Sequence, residues 1–135
     1  VCTGPGHARW IDVGAFPSGT FPAGPGVVWG TLSILAPEVL ASSPPDCASE
    51  VHSLGLLALV AALGRLPWDR ERAPRDVLAH PARRDAAALA SRIGAPPVLA
   101  DLLAHMLAWE PGNRPTMAQV VSAWPRTGGT DPAGA

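Results

Sequence analysis

The sequence contains no lysine; all ten basic residues are arginine, so chemistry that needs a lysine ammonium has no candidate in this chain. Asparagine occurs once, as Asn113. The two cysteines, Cys2 and Cys47, lie too far apart for the tight spacing of zinc or redox motifs, and two unpaired cytosolic thiols are expected. A membrane span is also missing. The longest apolar run, Val51 to Leu63, is interrupted by His52, Ser53 and Gly55 and is shorter than the roughly 20 residues that cross a bilayer. No basic stretch followed by a hydrophobic one opens the chain, which argues against a signal peptide, and residue 1 is Val, which suggests a fragment. A formal net charge of −1, with the arginines scattered rather than striped, offers nothing to a nucleic acid. The expectation is a cytoplasmic protein with no nucleic-acid partner and no membrane contact from this segment.

What is present suffices for one small, mainly α domain. Of 135 residues, 47% are hydrophobic and 16% charged, enough apolar side chain for a packed core. Sixteen prolines and fourteen glycines gather in the first third and at the tail, leaving the middle for helices. The start reads as a short hairpin: Val1 to Thr3, a turn over Gly4 to His7, then a strand from Ala8 to Val13. Ala15 to Trp29 has no period and is expected to be a long, mobile loop. Pro37 to Ala41 suits a short helix with proline at an early position, and Ser42 to Asp46 a turn. From Ser49 to Leu63 the residues are apolar on nearly every side, as in a helix enclosed by protein, with Gly64 and Pro67 to end it. Asp69 to His80 reads as polar and irregular, and Ala82 to Ile93 as an Ala-rich helix. Val98, Leu99, Leu102, Leu103, Met106 and Leu107 recur at helical steps. Thr116 and Gln119 fit a capping box that opens a last helix to Trp124, and 126–135 reads as a disordered tail after a domain spanning 1–125.

Several motifs occur in a meaningful order. Gly30-Thr31-Leu32-Ser33-Ile34-Leu35-Ala36-Pro37-Glu38 resembles the stretch of protein kinases that leads into their Ala-Pro-Glu motif, and Asp12-Val13-Gly14 looks like the Asp-Phe-Gly motif upstream of it. Ser49 to Gly55 is similar to the start of that family's buried central helix, marked by Glu50 and Gly55. Gly64-Arg65-Leu66-Pro67-Trp68 resembles the turn that follows it. The run from Leu102 to Thr116 resembles the family's Leu-Leu, acidic-Pro and Arg-Pro-Thr signature. Together the matches cover nearly the whole chain up to Trp124 and resemble the C-terminal lobe of a protein kinase domain.

The resemblance implies a kinase-like C-lobe with a short N-terminal hairpin and a long activation-segment loop that runs from Gly14 through Thr31 to Ala36, Pro37 and Glu38. It implies an ion pair between Glu38 and Arg114 that ties down that segment. It implies that Asp12 binds magnesium in an intact domain, where Mg2+ and ATP are the cofactors. Thr31 favours serine/threonine specificity. Three positions depart from the family pattern: Val13 stands for Phe, Glu50 for Asp, and Ile34 for a residue that is commonly aromatic. The phosphate-covering glycine loop, the catalytic lysine and the catalytic loop are absent from the sequence, so no catalytic or cofactor-binding residue is assigned and this chain alone is expected to be inactive. His7, His52, His80 and His105 fall on different elements and read as surface or core histidines. The expected partner is a protein, whether as substrate of an intact serine/threonine kinase or as ligand of a pseudokinase-like interaction module.

Overall fold

The computed structural model describes strand residues 2–4 and 7–8 and the continuous segment 31–126, over which the architecture is mainly helical. Strands β1 (Cys2–Gly4) and β2 (His7–Ala8) pair antiparallel, with Cys2 opposite Ala8. Asp12, Val13, Gly14, the loop from Ala15 to Trp29 and residues 127–135 lie outside the described residues.

A 3-10 turn at Leu32–Ile34 leads into α1 (Pro37–Leu40), where Pro37 sits at the first helical turn and needs no N–H partner. The helix ends at Ser42, whose left-handed φ of 77° lets its N–H reach the Val39 carbonyl. α2 (Cys47–Leu63) then forms the axis of the molecule. It begins two residues earlier than its apolar pattern alone suggests. The Asp46 side chain accepts from the Ser49 N–H and the Ser49 hydroxyl oxygen accepts from the Asp46 N–H, both at 2.8 Å, a reciprocal cap that extends the helix into polar sequence. Gly64, at φ 80°, ends it.

Two apolar clusters pack around α2. Leu56 and Leu59 join Leu40, Leu66, Trp68, Val77, Ala86, Leu89 and Leu107. Val51 joins Ala90, Leu102, Leu103, Met106 and Val120. Gly55 is where α6 (Pro97–Met106) comes closest, since a methyl group there would lie 3.0 Å from Leu107 Cδ2 and 3.3 Å from Met106 Cβ. Each fully buried leucine contributes roughly 1.5 to 3 kcal/mol, so the clusters supply most of the driving force. α7 (Met117–Ala123) starts at Thr116 with a second reciprocal cap to Gln119.

Two expectations fail between α2 and α6. The stretch Asp69 to His80 is not irregular throughout; it contains α3 (Pro74–Ala79). Pro74 presets the first turn, and the fully buried Val77 holds the helix on the core, so one well-placed anchor outweighs a polar composition. The segment Ala82 to Ile93 is not one helix. α4 (Pro81–Arg84) and α5 (Ala86–Leu89) are separated at Asp85, with φ −100° and ψ 21°, and a 3-10 turn follows at Ala90–Arg92. The break lets Arg83, Ala86 and Leu89 all turn inward. Among the described residues no helix is long and apolar enough to cross a membrane, and Cys47 is an exposed free thiol.

Candidate functional site

Residues 31–38 form a polar-backbone strip pinned to the helical core at three points. The first pin is Glu38, in the first turn of α1. Arg114 follows the 3-10 turn Pro111–Asn113 and reaches across 76 positions, with Nη1 2.6 Å from Glu38 Oε1 and Nη2 2.9 Å from Oε2. The remaining donors of Arg114 are also used: Nε donates to the Ala108 carbonyl at 2.8 Å, Nη1 to Ala48 at 3.0 Å and Nη2 to Trp109 at 2.9 Å. All five guanidinium N–H groups are therefore satisfied, the condition under which a buried charge can be retained without a large penalty. The Arg114 side chain is 0% exposed and that of Glu38 18%.

The second pin is Trp68. Its turn is closed by the Leu66 N–H donating to Asp69 Oδ2 at 2.7 Å, and its indole Nε1–H donates to the Ser33 carbonyl at 2.7 Å. The third is Arg83 on α4, whose Nη2 donates to the Leu35 carbonyl at 2.5 Å while its guanidinium lies over the Trp68 ring, 4.8 Å from the centroid. Arg83 is buried, yet among the described residues its Nε and Nη1 have no hydrogen-bond partner. Burial, opposed by Glu38 and reinforced by Arg114, draws its pKa down to about 10, which still leaves it charged at neutral pH.

His52, one turn into α2, lies within the field of both arginines. Burial first, then Arg114 and Arg83, pushes its pKa down to about 3, so the imidazole is neutral at pH 7; its Nδ1 is buried without a partner among the described residues. Thr31 is exposed at the head of the strip and its carbonyl accepts from the Ile34 N–H. Ala36 is fully buried as the residue before α1, and Pro37 is buried beside it. Glu50 is exposed in the first turn of α2, while Gly55 belongs to the α2–α6 contact rather than to the strip. Asp12 and Gly14 lie outside the described residues. Sequence reasoning missed Arg83 altogether, since nothing local distinguishes it from the exposed Arg84 beside it. The Asp46–Ser49 cap was readable, as a capping pair directly ahead of an apolar run.

Among the described residues no three His, Cys, Asp or Glu side chains converge as a metal site would require. No step of phosphoryl transfer is assigned to the described residues.

The sequence comparisons point to one kind of protein. The chain is 31% identical over 116 residues to the serine/threonine-protein kinase PknK of Mycobacterium tuberculosis, covering 84% of this chain and 10% of that protein. It is 30% identical over 89 residues to the serine/threonine-protein kinase PksC of Streptomyces coelicolor, covering 66% of this chain and 16% of that one. To the probable serine/threonine-protein kinase pknA2 of Bifidobacterium longum it is 26% identical over 114 residues, 82% of this chain and 15% of that protein. The chain thus spans about a sixth or less of the length of these curated relatives. No family model and no solved structure matches it. The chain has a partial, low-identity likeness to serine/threonine protein kinases, and its helical fold is consistent with a kinase-like C-lobe.

Proposed function

We propose that this chain is the C-terminal part of a serine/threonine protein kinase domain, in which residues 31–38 are the anchored end of an activation segment. The observation that carries the reading is the Glu38–Arg114 pair, a bidentate contact across 76 positions in which every arginine donor is used. No local rule joins two such residues, and an anchor of this kind holds a segment in one orientation as well as in place. The likeness to named kinases over most of the chain supports the same assignment. In an intact parent, Mg2+ and ATP would be the cofactors, with Asp12 as a magnesium ligand, a protein as substrate and the cytoplasm as location. The isolated chain has no Gly-rich loop, lysine or catalytic loop and transfers no phosphate.

The test has two parts. The coding sequence upstream of Val1 should contain an in-frame His-Arg-Asp with Asn five residues after the Asp, and a parent protein carrying it should phosphorylate a generic Ser/Thr substrate. Glu38→Gln should abolish that activity. The isolated chain should melt at the same temperature with and without MgATP; an upward shift would reveal a nucleotide site and overturn the inactive reading.

A second reading is favoured by Val13, Ile34 and Glu50, which depart from the kinase pattern together. Under it the chain is a pseudokinase-like interaction module that binds a protein partner without phosphotransfer. Absence of the catalytic loop upstream selects it.

A further inference from the structure

Arg83 and Arg84 are neighbours on α4 with opposite fates: one is buried under the 31–38 strip, the other is exposed beside a groove of about 380 Å³. That groove lies between α3, α4 and Trp109. We propose that it is a receptor for an oxyanion carried on an apolar stem, a phosphoserine or glutamate side chain of a peptide. The proposal stands apart from the kinase reading and survives either outcome of that test.

The groove's chemistry is consistent on all sides. The Arg84 guanidinium lies on the Trp109 ring, 4.5 Å from its centroid. A guanidinium held against an aromatic ring keeps its N–H donors available for an oxyanion, which it can meet with two parallel hydrogen bonds. Among the described residues no carboxylate lies within 4.0 Å of Arg84. Arg75 also lines the groove, with its side chain 89% exposed; its sole described ion pair is a 3.6 Å contact with the half-exposed Asp76, a surface pair that an incoming anion displaces at little cost. His80 also lines the groove. Its Nδ1 accepts from the Ala82 N–H at 3.2 Å, and edge contact with Trp68 at 6.1 Å holds the ring in place. Leu78 and Pro81 supply apolar lining for the stem. Among the described residues no Asp or Glu lines the groove; Asp76, Asp85 and Glu110 are near in sequence but do not contribute to its wall.

The site is small and open, which fits one side chain of an extended peptide rather than a nucleotide or cofactor. The shared chemistry admits two sources, phosphoryl and carboxylate, and affinity separates them. A phosphoryl group offers more acceptor oxygens and charge to two arginines than a carboxylate does.

The full chain is titrated with three short capped peptides of the form Ala-Leu-X-Leu-Ala, where X is phosphoserine, glutamate or serine, and the indole resonance of Trp109 is followed by NMR, assigned with Trp109→Phe. The phosphoserine or glutamate peptide should shift that resonance saturably, and the serine peptide should not. Arg84→Gln should weaken binding by about tenfold, the loss of one charge-assisted contact, and Arg75→Gln by a smaller factor. Tighter binding of phosphoserine assigns the phosphoryl source, and equal or tighter binding of glutamate the carboxylate source. Because both arginines are exposed, neither substitution threatens the fold, and a retained far-UV spectrum checks this. Equal shifts with the serine peptide, no saturation with either anionic peptide, or unchanged affinity in Arg84→Gln overturns the proposal.

Discussion

Arg114 and Arg83 are both buried guanidiniums that hold the same short strip, yet they are held in different ways. Arg114 has a carboxylate partner and uses all five donors. Among the described residues Arg83 has one side-chain hydrogen bond, to the Leu35 carbonyl, and an aromatic face, while two of its nitrogens have no hydrogen-bond partner. Burial of charge is therefore not one kind of stabilisation. At Arg114 the desolvation cost is offset by a complete hydrogen-bond shell, and removing the cation strands the Glu38 carboxylate. At Arg83 the cost is only partly offset, and an apolar replacement leaves no buried charge behind. The lesson is that the strip is locked at its C-terminal end and held more loosely in the middle.

Three measurements break or sharpen this contrast. The largest effect should come from Arg114→Ala, which leaves Glu38 without its partner and should cost roughly 3 to 5 kcal/mol in urea denaturation. A solvated pair would cost only about 0 to 1 kcal/mol, so an unchanged midpoint would remove the distinction between the two arginines. Next comes pH. The His52 pKa is depressed in the fold, so the unfolded chain takes up the proton first; the stability is fully present above about 6.5 and is lost as pH falls toward 3. At about 1.36 kcal/mol per unit, wild type should lose about 3 kcal/mol more than His52→Leu between pH 7 and pH 4. Parallel pH curves for the two proteins would show that the imidazole is not desolvated in the fold. The smallest effect is expected for Arg83→Met, which should change stability by less than about 1 kcal/mol as relief of two unpaired donors offsets loss of the Leu35 and Trp68 contacts. A cost equal to that of Arg114→Met would place both arginines in the same class.

The parts of this molecule that could be read in advance share a property. α2, α6 and α7 declare themselves through period and composition, and Thr116 with Gln119 through a local capping pattern. Glu38 and Arg114 were legible for another reason: each lies in a motif whose resemblance to kinases carries a partner with it, although nothing in the intervening residues specifies their meeting. α3 was hidden because one buried valine decides it, and the break at Asp85 because an Ala-rich sequence allows a continuous helix equally well.

By itself the sequence determined a mainly helical core, its axis and the absence of lysine chemistry, because helical period, caps and composition act over a few residues and need no distant neighbour. Only the tertiary structure decided which arginine of the pair Arg83 and Arg84 enters the core, that Trp68 clasps the Ser33 carbonyl, and that burial, aided by Arg114 and Arg83, holds His52 neutral. The physical reason is that desolvation and charge proximity are properties of what packs around a side chain. Two adjacent arginines with the same local sequence differ in nothing until the fold turns one inward.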